Sequence, residues 1–255
     1  MSETADRPAH QVFAACGKRV LRPGGTALTD RLLDRIALQA GEDVVEFAPG
    51  TGATAECLLG CDPASYRGID LDADTVARLR DRLGGPDREF LRGHAAETGL
   101  DRSSADVCVG EAMLTMQSEE GVRAIVGEAA RLLKADGRYG IHELAVHDDV
   151  PADRQDRIAA DLERELGVPA RPRTASAWAD ILDSEGLCVE WTGQAPMTLL
   201  EPRRLVADEG VLGAIRFGAS VLSDRDARQR VRSIRATFRE HADTLTAVAA
   251  IGRRD

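Results

Sequence analysis

Apolar positions change their period along this chain. Short runs of β-branched and other apolar residues stand at 43–47, 65–70, 89–92, 106–109 and 139–146. Each is bounded by glycine, proline or charge, as expected of strands buried on both faces of a parallel sheet. Between them apolar residues recur at helical spacing, as in 119–133 and in a stretch that Asp72 caps and that runs to Leu83 before Gly84-Gly85-Pro86. This alternation from 43 to 146 predicts a parallel sheet with helices on both faces. The first 40 residues read as two helices flanking Leu21-Arg22-Pro23-Gly24-Gly25, with Thr26 or Thr29 as cap of the second and Leu32, Leu33, Ile36 and Leu38 as its apolar surface. After 146 the alternation thins into helices at 152–166 and 175–185, a strand at 188–191, a mostly helical 201–240 and a closing strand at 245–251. Within that helical stretch Val211, Ile215 and Leu222 share a face, and Gly210, Gly213 and Gly218 are points of interruption.

The first strand runs into Ala48-Pro49-Gly50-Thr51-Gly52, a turn that lets backbone approach a ligand at a helix N-terminus. The second ends in Asp70, about 20 residues after the glycines, where a carboxylate can hydrogen-bond ribose hydroxyls. A nucleoside-containing ligand follows from this pairing. Gly50-Thr51-Gly52-Ala53-Thr54-Ala55 satisfies the loose G-x-G-x-x-A pattern, so an NAD reading stays open. Glu46 separates the two ligands. Its carboxylate would repel a pyrophosphate, whereas S-adenosylmethionine (SAM) brings an ammonium and a sulfonium to the same turn.

The segment 41–70 resembles motifs I and II of the class I SAM-dependent methyltransferases, whose usual pattern is V-L-D/E-x-G-x-G-x-G followed by G-I-D. The similarity extends through Gly93-His94-Ala95-Ala96, 105–112 and Ala130-Arg131-Leu132-Leu133-Lys134-Ala135-Asp136-Gly137-Arg138, and covers about residues 20 to 146. Three departures stand out: Ala48 replaces the first glycine, Ala135-Asp136 stands where Pro-Gly is common, and His94 stands where an aspartate often contacts the adenine amino group. The resemblance implies a doubly wound, seven-stranded, mostly parallel α/β sheet of Rossmann-like kind whose last two strands form a hairpin. It implies SAM as cofactor, held by Glu46, Ala48, Pro49, Gly50, Thr51, Gly52, Asp70, Leu71, His94, Ala95 and Glu111. On this plan residues 1–40 cover the cofactor and 41–146 form the core. Residues 147–255 supply the remaining strands (about 188–195 and 244–251) and helical cap insertions (about 151–185 and 201–241).

Composition fits an enzyme with a full core: 255 residues, 43% hydrophobic, formal charge −10. That acidity makes nucleic acid a poor partner, since phosphate contacts need clustered Lys and Arg. A small-molecule methyl acceptor is expected instead, with self-association left open. The polar N-terminus has no apolar signal core and no run is long enough to cross a bilayer, so neither secretion nor a membrane partner is expected. Five irregularly spaced cysteines make no disulfide framework, and a reduced, cytoplasmic setting follows.

At the strand tips Glu111 and His142 are the candidate catalytic groups: Glu111 to orient an amine or take a proton, His142 as a base for a thiol or hydroxyl. His142-Glu143-Leu144-Ala145-Val146-His147 is no zinc motif, because its histidines are five apart in a strand pattern. Cys57 and Cys61 are two ligands at most, and no metal is expected. Met113 and Met116 read as pocket wall, Cys108, Trp191 and Phe217 as core. The reading is methyl transfer from SAM to a small organic acceptor through O, S, N or C. An NAD-dependent oxidoreductase and a non-catalytic SAM-binding protein are the alternatives.

Overall fold

The computed structural model describes residues 8–18, 22–197 and 202–255. Its strands are β1 (Asp43–Phe47), β2 (Ser65–Asp70), β3 (Arg88–Arg92), β4 (Ala105–Glu111), β5 (Leu133–Val146), β6 (Arg173–Thr174), β7 (Leu187–Pro196) and β8 (Leu245–Arg254). They form one sheet in the order β3-β2-β1-β4-β5-β8-β7, with β6 added beside β5. Strands β1 to β5 run parallel, and β8 lies antiparallel between β5 and β7. The expected doubly wound α/β sheet is thus present, with one strand more than the seven expected. The two-residue β6 is too short to leave a period in the sequence.

The helices are α1 (Ala9–Ala15), α2 (Gly25–Ile36), α3 (Ala53–Leu59), α4 (Ala73–Leu83), α5 (Glu119–Leu132), α6 (Ala152–Leu166), α7 (Ala175–Ser184), α8 (Pro202–Ser223) and α9 (Arg225–Glu240). Strand parity sorts the core into two layers. Val44, Tyr66, Phe90, Val107 and Val109 face α2, α3 and α4. Val45, Phe47, Ile69, Cys108 and Ile141 face α5 and α7. Adjacent strand residues point to opposite faces, so both faces of each strand are apolar and buried.

Three expectations about the flanking helices change. Of the segment 151–185, only α6 joins the cap. Trp178, Ile181 and Leu182 of α7 are buried in the sheet's own core with α5. Neither Thr26 nor Thr29 caps α2 with its side chain. Asp208 of α8 accepts the Thr26 N–H at 3.0 Å and the Thr26 hydroxyl at 3.2 Å. Thr29, released from that task, points into the interior. In α8, kinked at Gly210 (φ 70°), Val211, Ile215 and Leu222 do share a face, yet that face is exposed. Phe217 and Val221 are buried instead, with Phe217 edge-on to Phe13 of α1 at 6.4 Å between ring centres. Periodicity found the stripe but not its partner. A third core of α1, α6, α8 and α9 residues thereby covers the carboxyl end of β5 at Leu144 and Val146 and the adjoining amino end of β8 at Leu245.

Candidate functional site

Strand order reverses between β1 and β4, and the crevice outside their carboxyl ends is where open α/β sheets take ligands. The turn after β1 is held by three residues with positive φ: Ala48 (51°), Gly50 (53°) and Gly52 (78°). Ala48 therefore occupies, with a Cβ, the left-handed conformation that favours glycine, as motif I has there. Its N–H donates to Ile69 O at 2.8 Å, tying the turn to β2. A Cβ on Gly52 would lie 2.6 Å from the end of Leu79 in a left-handed backbone, so any larger residue would be strained there. Asp70 serves the same turn, its Oδ2 accepting the Gly50 N–H at 3.3 Å and its Oδ1 the Asp72 N–H at 3.0 Å. Pro49 is buried beneath the turn and Thr51 lies half-buried on it.

Leu71 is 60% exposed at the tip of β2, as a residue waiting for a flat apolar partner would be. His94, after β3, is exposed, and its Nδ1 accepts the Ala96 N–H at 3.1 Å. Ala95 beside it is buried. The sheet thus brings the expected residues Glu46 to Gly52, Asp70, Leu71, His94 and Ala95 along the tips of β1, β2 and β3. Glu111 and His142 stand side by side on β4 and β5, which pair at those residues.

Glu46 is 4% exposed and accepts a hydrogen bond from the Tyr66 hydroxyl at 2.6 Å. Burial raises its pKa to about 8, the Tyr66 bond opposing the rise. Glu111 has the opposite surroundings. Its Oε1 accepts from Thr29 Oγ1 at 2.6 Å and faces His142 Nδ1 at 2.9 Å. Its Oε2 accepts from Arg22 Nη1 at 2.7 Å and from the Thr54 hydroxyl. Burial acts to raise its pKa, but the Arg22 and His142 charges and their bonds outweigh it and hold it at about 2.

His142 is fully buried, with Nε2 against the carbonyl of Pro23 and Nδ1 against Glu111. Both ring nitrogens are turned to protein oxygens, so neither is open to an acceptor molecule. Glu111, ionised far below neutrality and bonded on both oxygens, is a poor acceptor as well. In this arrangement His142 and Glu111 pin the strap at Arg22 and Pro23 onto the sheet.

Beyond these tips, under α1, α6 and α9, lies a cavity of about 110 Å³. Pro23 and Ala112 form its side toward Glu111, and Phe13, Leu144, Leu166 and Phe238 belong to its apolar walls. Glu143, also on the wall, accepts from Met113 N, Leu114 N, Thr115 N and Thr115 Oγ1 at 2.7 to 3.1 Å. It thereby fixes the loop after β4. Among the described residues no group of three His, Cys, Asp or Glu could hold a metal ion.

The model of a methyltransferase domain family matches residues 44–137, which include the glycine turn, Asp70 and Glu111. Residues 44–137 carry a methyltransferase domain, and the chain is a SAM-dependent methyltransferase. An uncharacterized protein of Haemophilus influenzae is 27% identical over 253 residues, 98% of this methyltransferase and 99% of the relative. Ribosomal RNA small subunit methyltransferase A of Synechococcus is 43% identical over 63 residues, but those are 25% of the chain and 22% of the relative. A phosphoethanolamine N-methyltransferase 2 of Haemonchus contortus, solved with S-adenosylhomocysteine (SAH), shares the fold at a TM-score of 0.72 and 14% identity. That match covers 100% of this chain and 61% of the other. SAM is the methyltransferase's cofactor, and the oxidoreductase alternative falls.

Arg22, Thr29, Thr54 and Tyr66 are the site residues that sequence reading missed. Their partners lie 20 to 89 residues away, beyond any local pattern. The one available signal was a charge, Arg22, set against Pro23-Gly24-Gly25 in the strap. No helix among the described residues is long and apolar enough to cross a membrane.

Proposed function

We propose that the protein transfers the methyl group of SAM to a small organic acceptor that needs no protein base. The observation carrying this reading is Glu46, a buried carboxyl with a pKa raised to about 8 beside a glycine turn. Such a group is costly to ionise alone and favourable to ionise against a cation. The ammonium of SAM supplies that cation, whereas a pyrophosphate would worsen the charge. Arg22 complements it. Its Nε is buried with no hydrogen-bond partner among the described residues, a donor suited to the cofactor's carboxylate.

Asp70 has room to accept ribose hydroxyls beside its bonds to Gly50 and Asp72, and exposed Leu71 offers its side chain to the adenine face. His94 and Ala95 lie where the adenine edge would reach. The amides of Ala48, Pro49-Gly50 and Thr51-Gly52 shape the turn around the methionine end. Bound SAM supplies an electrophilic methyl carbon, and the acceptor's lone pair displaces the thioether sulfur in line. The C–S bond breaks with its electron pair on sulfur, and any proton the acceptor sheds goes to solvent. The chain's part is alignment and exclusion of water, by the strap closed over β4 and β5 and by the α1–α6–α9 roof. With both candidate bases committed, a neutral amine, a thiol with an accessible thiolate or an enolic carbon fits better than an alcohol.

Calorimetric titration with SAM, SAH and NAD separately tests the reading. SAM and SAH should bind and NAD should not. Binding of NAD alone would overturn it, as would failure to methylate any member of an acceptor library while SAM stays bound.

A further inference from the structure

The cavity beyond β4 and β5 is built by parts of the chain that have no contact in sequence: α1, the strap at Pro23, the loop after β4, β5, the end of α6 and α9. We propose that the acceptor is an uncharged molecule whose apolar body, of about the bulk of a benzene ring or a short alkyl chain, fills this cavity with its nucleophilic atom toward Pro23 and Ala112. This inference rests on the methyl-transfer reading above and names its substrate class.

Position comes first. Pro23 gives its carbonyl to His142, and Ala112 directly follows Glu111, so one end of the cavity abuts the cluster at the tips of β4 and β5. Chemistry comes second. Among the described residues no lysine, arginine or histidine lines the cavity, and its polar side chains there are Thr115 and Glu143. These two are bonded to each other at 2.7 Å. A carboxylate offers about four lone-pair sites. The four donors from Met113, Leu114 and Thr115 occupy those of Glu143, and none is left for a ligand. A charged acceptor group would be buried there without a partner, which is strongly disfavoured.

Size comes third. An apolar cavity of about 150 Å³ stays dry and takes up benzene in another protein, which sets the scale for about 110 Å³ here. Phe13 and Phe238, on opposite helices, give the walls flat apolar surface.

The test uses the full chain saturated with SAH and titrated calorimetrically with n-alkanols of increasing length, then with the matching n-alkylammonium ions and n-alkanoates. Alkanol affinity should rise about fourfold per methylene until the chain outgrows the cavity. The charged homologues should bind about tenfold or more weakly than the alkanol of equal length. Met116→Arg, which sets a charge in the wall, and Val168→Trp, which fills the space, should each abolish alkanol binding. Both residues are half-buried, and SAH affinity together with the thermal unfolding midpoint reports whether the variants remain folded. Tighter binding of the ammonium series, no dependence on chain length, or alkanol binding undiminished in both folded variants would overturn the proposal. SAH binding without alkanol binding would sink this inference alone. Failure of SAH to bind would sink the methyl-transfer reading beneath it.

Discussion

Glu46 and Glu111 stand near the ends of neighbouring parallel strands, one on β1 and one on β4, and both are withdrawn from solvent. Glu46 has a phenol for company and a pKa of about 8. Glu111 has an arginine, an imidazole and two threonine hydroxyls, and a pKa of about 2. Burial alone therefore does not define a binding site. A carboxylate whose partners are all supplied by the fold is a clasp. One that the fold gives a single hydroxyl partner is the carboxyl proposed here to meet the cofactor's cation. The same comparison separates the two catalytic candidates from the carboxyl proposed to meet the cofactor, since His142 belongs to the clasp.

The comparison breaks most visibly at the clasp. Glu111→Ala leaves Arg22 and His142 as uncompensated buried donors and should destabilise the protein by about 3–5 kcal/mol, read by urea unfolding. Glu46→Gln should do the reverse: leave the cofactor-free protein as stable or more so, and cost about 2–5 kcal/mol of SAM affinity by titration calorimetry. Equal stability losses in the two variants would erase the distinction drawn here.

Unfolding across pH sharpens it. For Glu46 the folded pKa lies above the ordinary value of 4.5, so its unfolded form ionises first. The cofactor-free protein should lose stability through this group as pH rises from 4.5 toward about 8, and Glu46→Gln should not. For Glu111 the folded pKa lies below 4.5. Its contribution should be full above that value and vanish as pH falls toward about 2, a loss absent from Glu111→Gln. The smallest effect belongs to the turn. Ala48→Gly relieves a left-handed alanine and should stabilise the protein by up to about 1 kcal/mol, with the unfolding midpoint in urea moving upward.

Much of the core was legible because its signals are local. Glu46, Gly50, Gly52 and Asp70 sit within one β-turn-α-β unit, where strand length and glycine spacing fix their places together. Asp72 capping α4 through the Thr75 N–H at 2.6 Å is local in the same way. The clasp was illegible as a whole. Glu111 and His142 were found individually by their places at strand ends, yet their roles depend on Arg22, Pro23 and Thr29, which reach them only in the folded chain. Before folding, both looked like available bases. The cap failed differently: α8 is apolar around much of its circumference, so the period named the face of Val211, Ile215 and Leu222 without telling which side meets Phe13. The burial of α7 against α5 was likewise hidden, because an apolar face suits a cap and a sheet equally.

The most direct measurement is proton release on cofactor binding. SAM is titrated into the protein at pH 7 in several buffers of different ionisation enthalpy, and the number of protons exchanged is read from the slope of the observed heat. A neutral Glu46 that ionises against the ammonium requires most of one proton released per SAM bound, and none from Glu46→Gln. Tight binding with no proton exchange, or the same release from Glu46→Gln, would contradict the role given to Glu46.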